Sequence, residues 1–134
     1  MRAESSNKII IRLSKSDEAF AVARYALENK YYDSAASRLY YTCFHLISAL
    51  FAKYGIQTYT HNGVKTVFAK NFIKQNKLEP KWGKLLATLF DARQLGEYGD
   101  FSLITEDELI GLMKQVEEFK KVVLALIDEN SSGE

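Results

Sequence analysis

Apolar side chains recur every three or four residues over most of this 134-residue chain. The longest such stripe runs through Leu109, Leu112, Met113, Val116, Phe119, Val123, Leu126 and Ile127. This spacing is that of one face of an α-helix, whereas a half-buried strand alternates every second residue. No convincing alternating segment is present, and the run Ile9–Ile11 is too brief to anchor a sheet. The pattern therefore predicts an all-α protein.

Residues that begin and end helices divide the pattern into five predicted helices. Their approximate bounds are 14–29, 33–54, 63–75, 80–96 and 105–127. Asp33 is a good N-cap for the second helix, and Gly55 suits its end. Pro80 suits the first turn of the fourth helix. Thr105 and Glu108 match a capping box at the start of the fifth helix.

The inward stripe of the first helix is predicted to contain Phe20, Ala23, Leu27 and Tyr31. Four long amphipathic helices and a short one, joined by short loops, predict an up-and-down antiparallel four-helix bundle with one additional short helix. A single domain over residues 1–134 is expected, with a core of about 14–127 and loose ends at 1–7 and 131–134.

The second helix is apolar nearly all round, which is typical of a central helix. Its apolar surface exceeds what one small bundle easily covers, so a homodimer is predicted in which this surface meets a second copy.

Composition narrows the classes of function. The formal net charge is +1, so a nucleic acid could bind only at a local basic patch. The single cysteine, Cys43, cannot form an intrachain disulfide, and no export signal is apparent, so a reducing, cytoplasmic location is expected. The densest apolar stretch, 39–52, is interrupted by polar residues and is too short to span a membrane.

Arg93 is the most informative polar residue of the chain. It falls on the same helical face as Trp82, Leu86 and Leu89, where a leucine would be expected. A guanidinium on a packing face is costly unless it is paired. Candidate partners follow immediately, namely Glu97, Tyr98 and Asp100. The cluster is either a structural ion pair or a functional site.

A polar stripe lies on the otherwise apolar second helix. It consists of Arg38, Thr42, His45 and Ser48 at steps of three or four residues. The stripe is either a lateral edge that reaches solvent, or a surface that faces the same groove as Arg93. In the second case the two arginines would form an anion site.

Other polar residues favour structural roles. His61 lies at the start of the third helix, where a capping or turn role is preferred and Thr60 or Asn62 could provide the cap. The histidines and the cysteine lack metal-ligand spacing, and no glycine-rich phosphate loop is present, so no metal or cofactor is expected. Six lysines lie between residues 65 and 84, at Lys65, Lys70, Lys74, Lys77, Lys81 and Lys84. They form either a solvated face or a track for phosphates interleaved with aromatic rings.

Three segments together resemble a known family. Residues 38–45 (Arg-Leu-Tyr-Tyr-Thr-Cys-Phe-His) look like the second-helix signature of HEPN domains (higher eukaryote and prokaryote nucleotide-binding). The turn at 60–64 and the segment 90–101 fit a bacterial and archaeal branch of that family. The resemblance covers about residues 14–127.

The resemblance implies a helical bundle that is commonly dimeric. It also implies a minimal nucleotidyltransferase as partner in a toxin–antitoxin pair. Active members are metal-independent ribonucleases whose signature is an arginine followed, after four to six residues, by a histidine. The arginine would stabilise the charge on phosphorus and the histidine would transfer protons.

The chain departs from that signature. Arg93 matches the motif arginine, but the motif histidine is replaced by Tyr98, a poor base with an ordinary pKa near ~10. In one toxin subset a tyrosine two residues further on is nucleotidylated, and here that position is Asp100. His45 could in principle supply the missing imidazole.

Three hypotheses follow from the residues and the resemblance. The first is an RNA- or nucleotide-binding HEPN protein with weak or absent nuclease activity, in which Arg93 binds phosphate, assisted by Tyr98, Arg38, His45 and Asp100. The second is an active ribonuclease in which Arg93 and Tyr98 are catalytic. The third is a non-catalytic helical interaction module in which Arg93 forms a structural ion pair.

Overall fold

Five α-helices form the part of the chain that the computed structural model describes, which is residues 3–58, 60–98 and 104–129 without the side chains of residues 3, 4, 97 and 98. They are α1 (Ala3–Glu28), α2 (Tyr32–Tyr54), α3 (His61–Phe68), α4 (Pro80–Tyr98) and α5 (Glu106–Asp128), with a π-helical turn at Ala69–Ile73 after α3. The four long helices form the bundle, and α3 is the additional short helix. Since α2 lies against α1, α3, α4 and α5, it is the central helix. The predicted all-α bundle is confirmed.

Most of the predicted helix ends are confirmed. Gly55 adopts the left-handed conformation (φ 70°) that ends α2. At the start of α5, the backbone N–H of Glu108 donates to Thr105 Oγ1 (3.1 Å), and the N–H of Thr105 donates to Glu108 Oε1 (3.2 Å). This reciprocal pair is the predicted capping box.

The prediction that Asp33 is the N-cap of α2 is wrong. The helix begins at Tyr32, so Tyr31 holds the cap position and Asp33 lies in the first turn, where a carboxylate still interacts favourably with the helix dipole. Asp33 also contacts α4, because a Cβ added to Gly96 would lie 3.0 Å from Asp33 Oδ1. The absence of a side chain at Gly96 therefore lets α4 approach the start of α2.

α1 begins at Ala3, eleven residues before the predicted start at Ser14, so residues 3–7 are helical rather than loose. The run Ile9–Ile11 is helical, and only Ile9 of the three is buried. Tyr31, predicted to face inward, is 59% exposed because the helix has already ended and the chain turns through Lys30 at positive φ. Local spacing identified the helix but not how far it extends.

The core lies between α1, α2, α4 and α5, with α2 at its centre. All eight apolar residues of the predicted α5 stripe are buried, from Leu109 to Ile127. Phe119 connects the short helix to the bundle, because its ring lies 6.0 Å from that of Phe68 in α3 and 5.3 Å from that of Trp82 in α4. These contacts hold α3, and therefore the residues at its start, against the bundle.

The apolar surface of α2 is covered within one chain. Twelve of its residues are buried, so the surplus apolar surface predicted for this helix is not observed. Large exposed apolar side chains lie mainly on α1 instead, at Ile10, Ile11, Val22 and Tyr25. Among the described residues, no helix combines the length and apolar character needed to cross a bilayer.

Candidate functional site

Arg93 lies half-buried on α4, against the aromatic side chains of α2. Its guanidinium carbon is 5.4 Å from the ring centroid of Tyr40 and 5.3 Å from that of Tyr41. Both distances are in the range of cation–π attraction, which orients the planar guanidinium. The partners considered from the sequence, Glu97, Tyr98 and Asp100, have side chains outside the described residues.

An open cavity of about 560 Å³ lies beside Arg93. Its lining comes from α4 and from the start of α3, and consists of Thr60, His61, Asn62, Phe90, Arg93 and Gln94. One cation, one imidazole, amides and a hydroxyl therefore meet at one place. Such a set of groups is suited to an anionic ligand that also offers hydrogen-bonding groups.

His61 is the residue of this site that the sequence analysis did not identify. Thr60, and not His61, caps α3, because its Oγ1 accepts a hydrogen bond from the Gly63 N–H (2.9 Å). The imidazole of His61 instead lies against α2, with its Nδ1 2.7 Å from Tyr40 Oη and its ring 4.9 Å from that of Phe44. Tyr40 thus contacts both Arg93 and His61.

Tyr40 remains protonated at neutral pH. Burial raises the pKa of its phenol to about 12, although the positive charge of Arg93 acts in the opposite direction. The Tyr40 hydroxyl can donate to or accept from Nδ1; in the tautomer that carries its hydrogen on Nδ1, the imidazole donates to Tyr40 Oη and keeps Nε2 free to accept a proton. The hydrogen bond to Tyr40 fixes the orientation of the His61 ring from the side of α2.

The polar stripe of α2 lies partly beside Arg93. Arg38 lies over the same ring as Arg93, with its guanidinium carbon 5.8 Å from the Tyr41 centroid. The ring of His45 is 6.5 Å from that of Tyr41. Thr42 does not belong to this surface: it is only 2% exposed, and its hydroxyl donates to the Arg38 carbonyl (2.8 Å). The second helix therefore presents Arg38, Tyr41, His45 and Ser48 as its polar face.

His45 faces α1 rather than the cavity beside Arg93. Its Nδ1 is 3.3 Å from Nη1 of Arg12. The pKa of His45 is lowered to about 4. Burial is the main cause, and the positive charges of Arg12, Lys15 and Arg38 act in the same direction. A neutral imidazole accepts a hydrogen bond from Arg12. His61, not His45, is the imidazole that shares a cavity with Arg93.

Acidification is expected to destabilise the fold through His45. Its pKa is about 4 in the folded protein and 6.5 in the unfolded chain, so the unfolded state binds more protons between these values. The free energy of unfolding should therefore be highest above pH 6.5 and fall as the pH drops towards 4, by on the order of 2 kcal/mol after a discount for solvent screening of this half-buried ring. Urea unfolding at pH 7, 5.5 and 4 measures this loss. In the variant His45→Gln, which cannot titrate, a pH dependence equal to that of the wild type would contradict the assignment.

The six lysines of residues 65–84 are all exposed, and three of them lie over aromatic rings. The ammonium nitrogen of Lys65 is 5.5 Å from the centroid of Phe90, which lines the cavity beside Arg93. Lys77 lies over Tyr54 (4.5 Å) and Lys81 over Trp82 (4.7 Å). Lys65 thus adds positive charge at the edge of the site.

Cys43 is buried, and burial raises the pKa of its thiol, so it stays neutral. Within the described ranges, no three His, Cys, Asp or Glu side chains lie close enough together to hold a metal ion.

Known proteins are similar to most of this chain. A family model described as "HEPN domain" matches residues 11–126. A "UPF0332 protein" of Thermotoga maritima is 29% identical over 86% of the chain and 87% of its own length. Two proteins of Methanocaldococcus jannaschii named "Putative toxin" are 29% and 27% identical. They cover 72% and 78% of the chain, and 65% and 77% of their own lengths. Because the family model spans nearly the whole bundle, including both sides of the cavity beside Arg93, the chain belongs to the HEPN domain family.

Proposed function

We propose that this protein is a toxin-like HEPN protein that binds single-stranded RNA, with Arg93 holding a backbone phosphate. The observation that carries the proposal is the position of Arg93, stacked on two phenol rings at the edge of an open cavity. Hydrogen bonds between guanidinium and phosphate are strong and geometrically specific. A guanidinium already oriented by two rings loses less freedom when it forms them.

The neighbouring groups fit an RNA ligand. Arg38 and Lys65 lie over rings that border the site, and so add positive charge near a phosphate. Asn62 and Gln94 line the cavity and offer amide groups to a base edge or a 2′-hydroxyl. Tyr98 and Asp100 remain part of the proposal as a phosphate donor and a further binding residue on the same segment.

The biological setting proposed is a toxin–antitoxin module in the cytoplasm. Support comes from the two relatives named "Putative toxin" and from the resemblance to HEPN proteins that act with a minimal nucleotidyltransferase. We propose that the chain is a homodimer, and the exposed apolar residues of α1 offer a surface for it. A mass of one chain in sedimentation at micromolar concentration would contradict the dimer.

Binding of labelled RNA tests the proposed function directly. Fluorescence anisotropy with a single-stranded RNA of about 15 nucleotides should give saturable binding that weakens as salt rises. A duplex DNA of equal length should bind more weakly, because its bases cannot reach the amide groups of the cavity. Absence of any saturable RNA binding at low salt would overturn the proposal.

A second candidate function, metal-independent RNA cleavage, is favoured by one contact. His61 places an imidazole in the cavity lined by Arg93, although Tyr98 replaces the motif histidine. In this reaction the imidazole takes the proton of an RNA 2′-hydroxyl and O2′ bonds to phosphorus. The bond from phosphorus to O5′ breaks, and O5′ takes a proton from the imidazolium or from water. Arg93 would stabilise the negative charge on the phosphorane.

Replacing His61 by glutamine should separate cleavage from binding. We expect His61→Gln to slow cleavage by about 100-fold or more, because proton transfer of this kind contributes about 10²–10⁴ in rate. RNA affinity should change less than about threefold, since Arg93 supplies the charge. Tyr40→Phe, which keeps the ring under Arg93 but loses the hydrogen bond to Nδ1, should give a smaller loss of rate.

Single-turnover cleavage of a labelled RNA in the presence of EDTA measures these rates, and anisotropy measures affinity. Cleavage that survives His61→Gln would contradict the role of His61. A wild-type protein that binds RNA but leaves it intact would eliminate the nuclease candidate and leave the binding function.

A further inference from the structure

A second cavity, of about 530 Å³, lies between the first half of α1 and the end of α2. α1 contributes three cations to its wall, Lys8, Arg12 and Lys15, at steps of four and three residues. This spacing places all three on one face of the helix. Ser48 and Thr58 add hydroxyl groups from the other side.

The base of this cavity is apolar. Phe51, Ala52 and Ile56 line it, and Phe51 is almost completely buried. A concave site with an apolar base and a few converging cations suits a ligand that carries both negative charge and flat apolar groups. Phosphates joined to nucleosides have this combination.

The three cations are not neutralised by carboxylates of the described part of the chain. Among the described residues that line the cavity there is no Asp or Glu. The ion pair that the described residues of α1 do form, between Asp17 and Lys120 (2.6 Å), borders a different cavity. Like charges three and four residues apart on a helix repel each other. An arrangement of this kind gains stability when an anion binds to it.

This cavity and Arg93 lie along the same face of α2. Along α2, the side chains at residues 38, 41, 45, 48 and 52 follow one another at steps of three and four, and so lie on one face. From residue 38 to residue 52 the helix rises about 21 Å, at roughly 1.5 Å per residue. Arg93 contacts the ring of Tyr41 near one end of this face, and Ser48 and Ala52 line the second cavity at the other end.

His45 lies between the two ends of this face of α2. Its ring is 6.5 Å from that of Tyr41, and its Nδ1 is 3.3 Å from Arg12. The positive charges of Arg12, Lys15 and Arg38 all lower the pKa of His45. Lys8, Arg12 and Lys15 therefore line one end of this face of α2, and Arg38 lies over Tyr41 at the other end.

We infer that the groove between α1 and α2 is a second phosphate-binding site, at which Lys8, Arg12 and Lys15 hold backbone phosphates of the same RNA strand that Arg93 binds. This inference rests on the proposed function. An acidic protein surface would also be attracted to cations, but concavity, an apolar base and a position on the same face of α2 as Arg93 favour a nucleic acid strand. An RNA of a few nucleotides reaches only the Arg93 cavity, whereas a longer strand occupies both sites.

The salt dependence of RNA binding tests this inference. In single-stranded nucleic acids each phosphate contact adds about 0.7 to the slope of log Kobs against log salt. The double variant Lys8→Ser/Lys15→Ser should therefore reduce the magnitude of the slope by about 1.4 for an RNA of about 15 nucleotides. Affinity for that RNA at ~0.1 M salt should fall about tenfold or more, while affinity for an RNA of about 3 nucleotides should stay within twofold.

Lys114→Ser/Lys121→Ser is the matched control, because these exposed lysines of α5 have the same seven-residue spacing and the same charge change. The control should leave both the slope and the affinity unchanged. A control that behaves like the Lys8/Lys15 variant would overturn the inference, because the effect would then come from net charge. An unchanged salt slope in the Lys8/Lys15 variant would also overturn the inference. The same holds if that variant keeps its RNA binding but loses binding to an acidic protein.

A titration with AMP distinguishes a free nucleotide from a strand. AMP binding that needs Lys8 and Lys15, with no change in binding of the longer RNA, would overturn the strand model. The two proposals can fail separately. If Arg93→Ala leaves RNA affinity unchanged, the proposed role of Arg93 is wrong. If the Lys8/Lys15 variant loses affinity for the long RNA only, the second site is supported. RNA that does not bind the wild type at all would overturn both.

Discussion

Arg93→Ala is expected to weaken binding of single-stranded RNA by about 10- to 100-fold at ~0.1 M salt, because a hydrogen-bonded contact to a charged group contributes about 1.5–3 kcal/mol. The loss should appear with short and long RNA alike, since Arg93 lies in the cavity that both lengths reach. Anisotropy titrations with both RNAs measure it. The folded state should remain intact, because the contacts of Arg93 with Tyr40 and Tyr41 are worth about 1 kcal/mol in total.

Arg24→Ala is the matched control for this substitution. Arg24 also lies over an aromatic ring, 5.1 Å from the centroid of Phe20, but it is exposed on α1 and away from the cavity beside Arg93. Its loss should leave RNA affinity within about twofold. Arg93→Lys should recover part of the affinity, because an ammonium keeps the charge but not the planar pair of donors. Wild-type affinity in Arg93→Ala would exclude Arg93 as the phosphate-binding residue.

Phe119→Ala should produce the largest loss of stability, about 3–5 kcal/mol of unfolding free energy, because it removes a fully buried aromatic ring. The ring of Phe119 contacts Phe68 of α3 and Trp82 of α4, so a cavity at this position loosens three helices together. Urea unfolding at neutral pH, followed by far-UV circular dichroism, measures the change in midpoint.

Ile110→Ala is the corresponding control on the same helix. Ile110 is 41% exposed, so its truncation should cost under about 1 kcal/mol. If both variants lost similar stability, Phe119 would not hold the position in the core that its contacts indicate. Since α3 is held through Phe68, the Phe119 variant should also weaken the contact between His61 and Tyr40, and RNA cleavage, if present, should fall more steeply than RNA binding.

The two histidines show why the site could be only partly predicted. His45 stands in the polar stripe of α2 and could in principle supply the missing imidazole, yet its partner is Arg12 of α1. His61 resembled a residue of a capping turn, yet Thr60 provides the cap and His61 contacts Tyr40. Local spacing places a side chain on a face of its own helix but does not say which helix covers that face.

Arg93 shows the opposite case. A guanidinium in a row of buried apolar residues is visible in the sequence because it violates the expected pattern, and such violations concentrate at functional sites. The structure adds that two phenol rings from α2 support it. No spacing rule links residues 40 and 41 to residue 93, because the contact depends on how α2 and α4 pack.

The helical class, the central position of α2, the buried stripe of α5 and the ends of helices at Gly55 and Thr105 can all be predicted from the order of residues. Each depends on interactions within a few residues, which periodicity and capping chemistry record directly. Two arrangements become visible only in the folded protein: His61 shares a cavity with Arg93, and the start of α1 and the end of α2 enclose a cavity lined by three cations. These arrangements join residues over 30 positions apart, and helix packing against a common core, rather than local sequence, sets which of them meet.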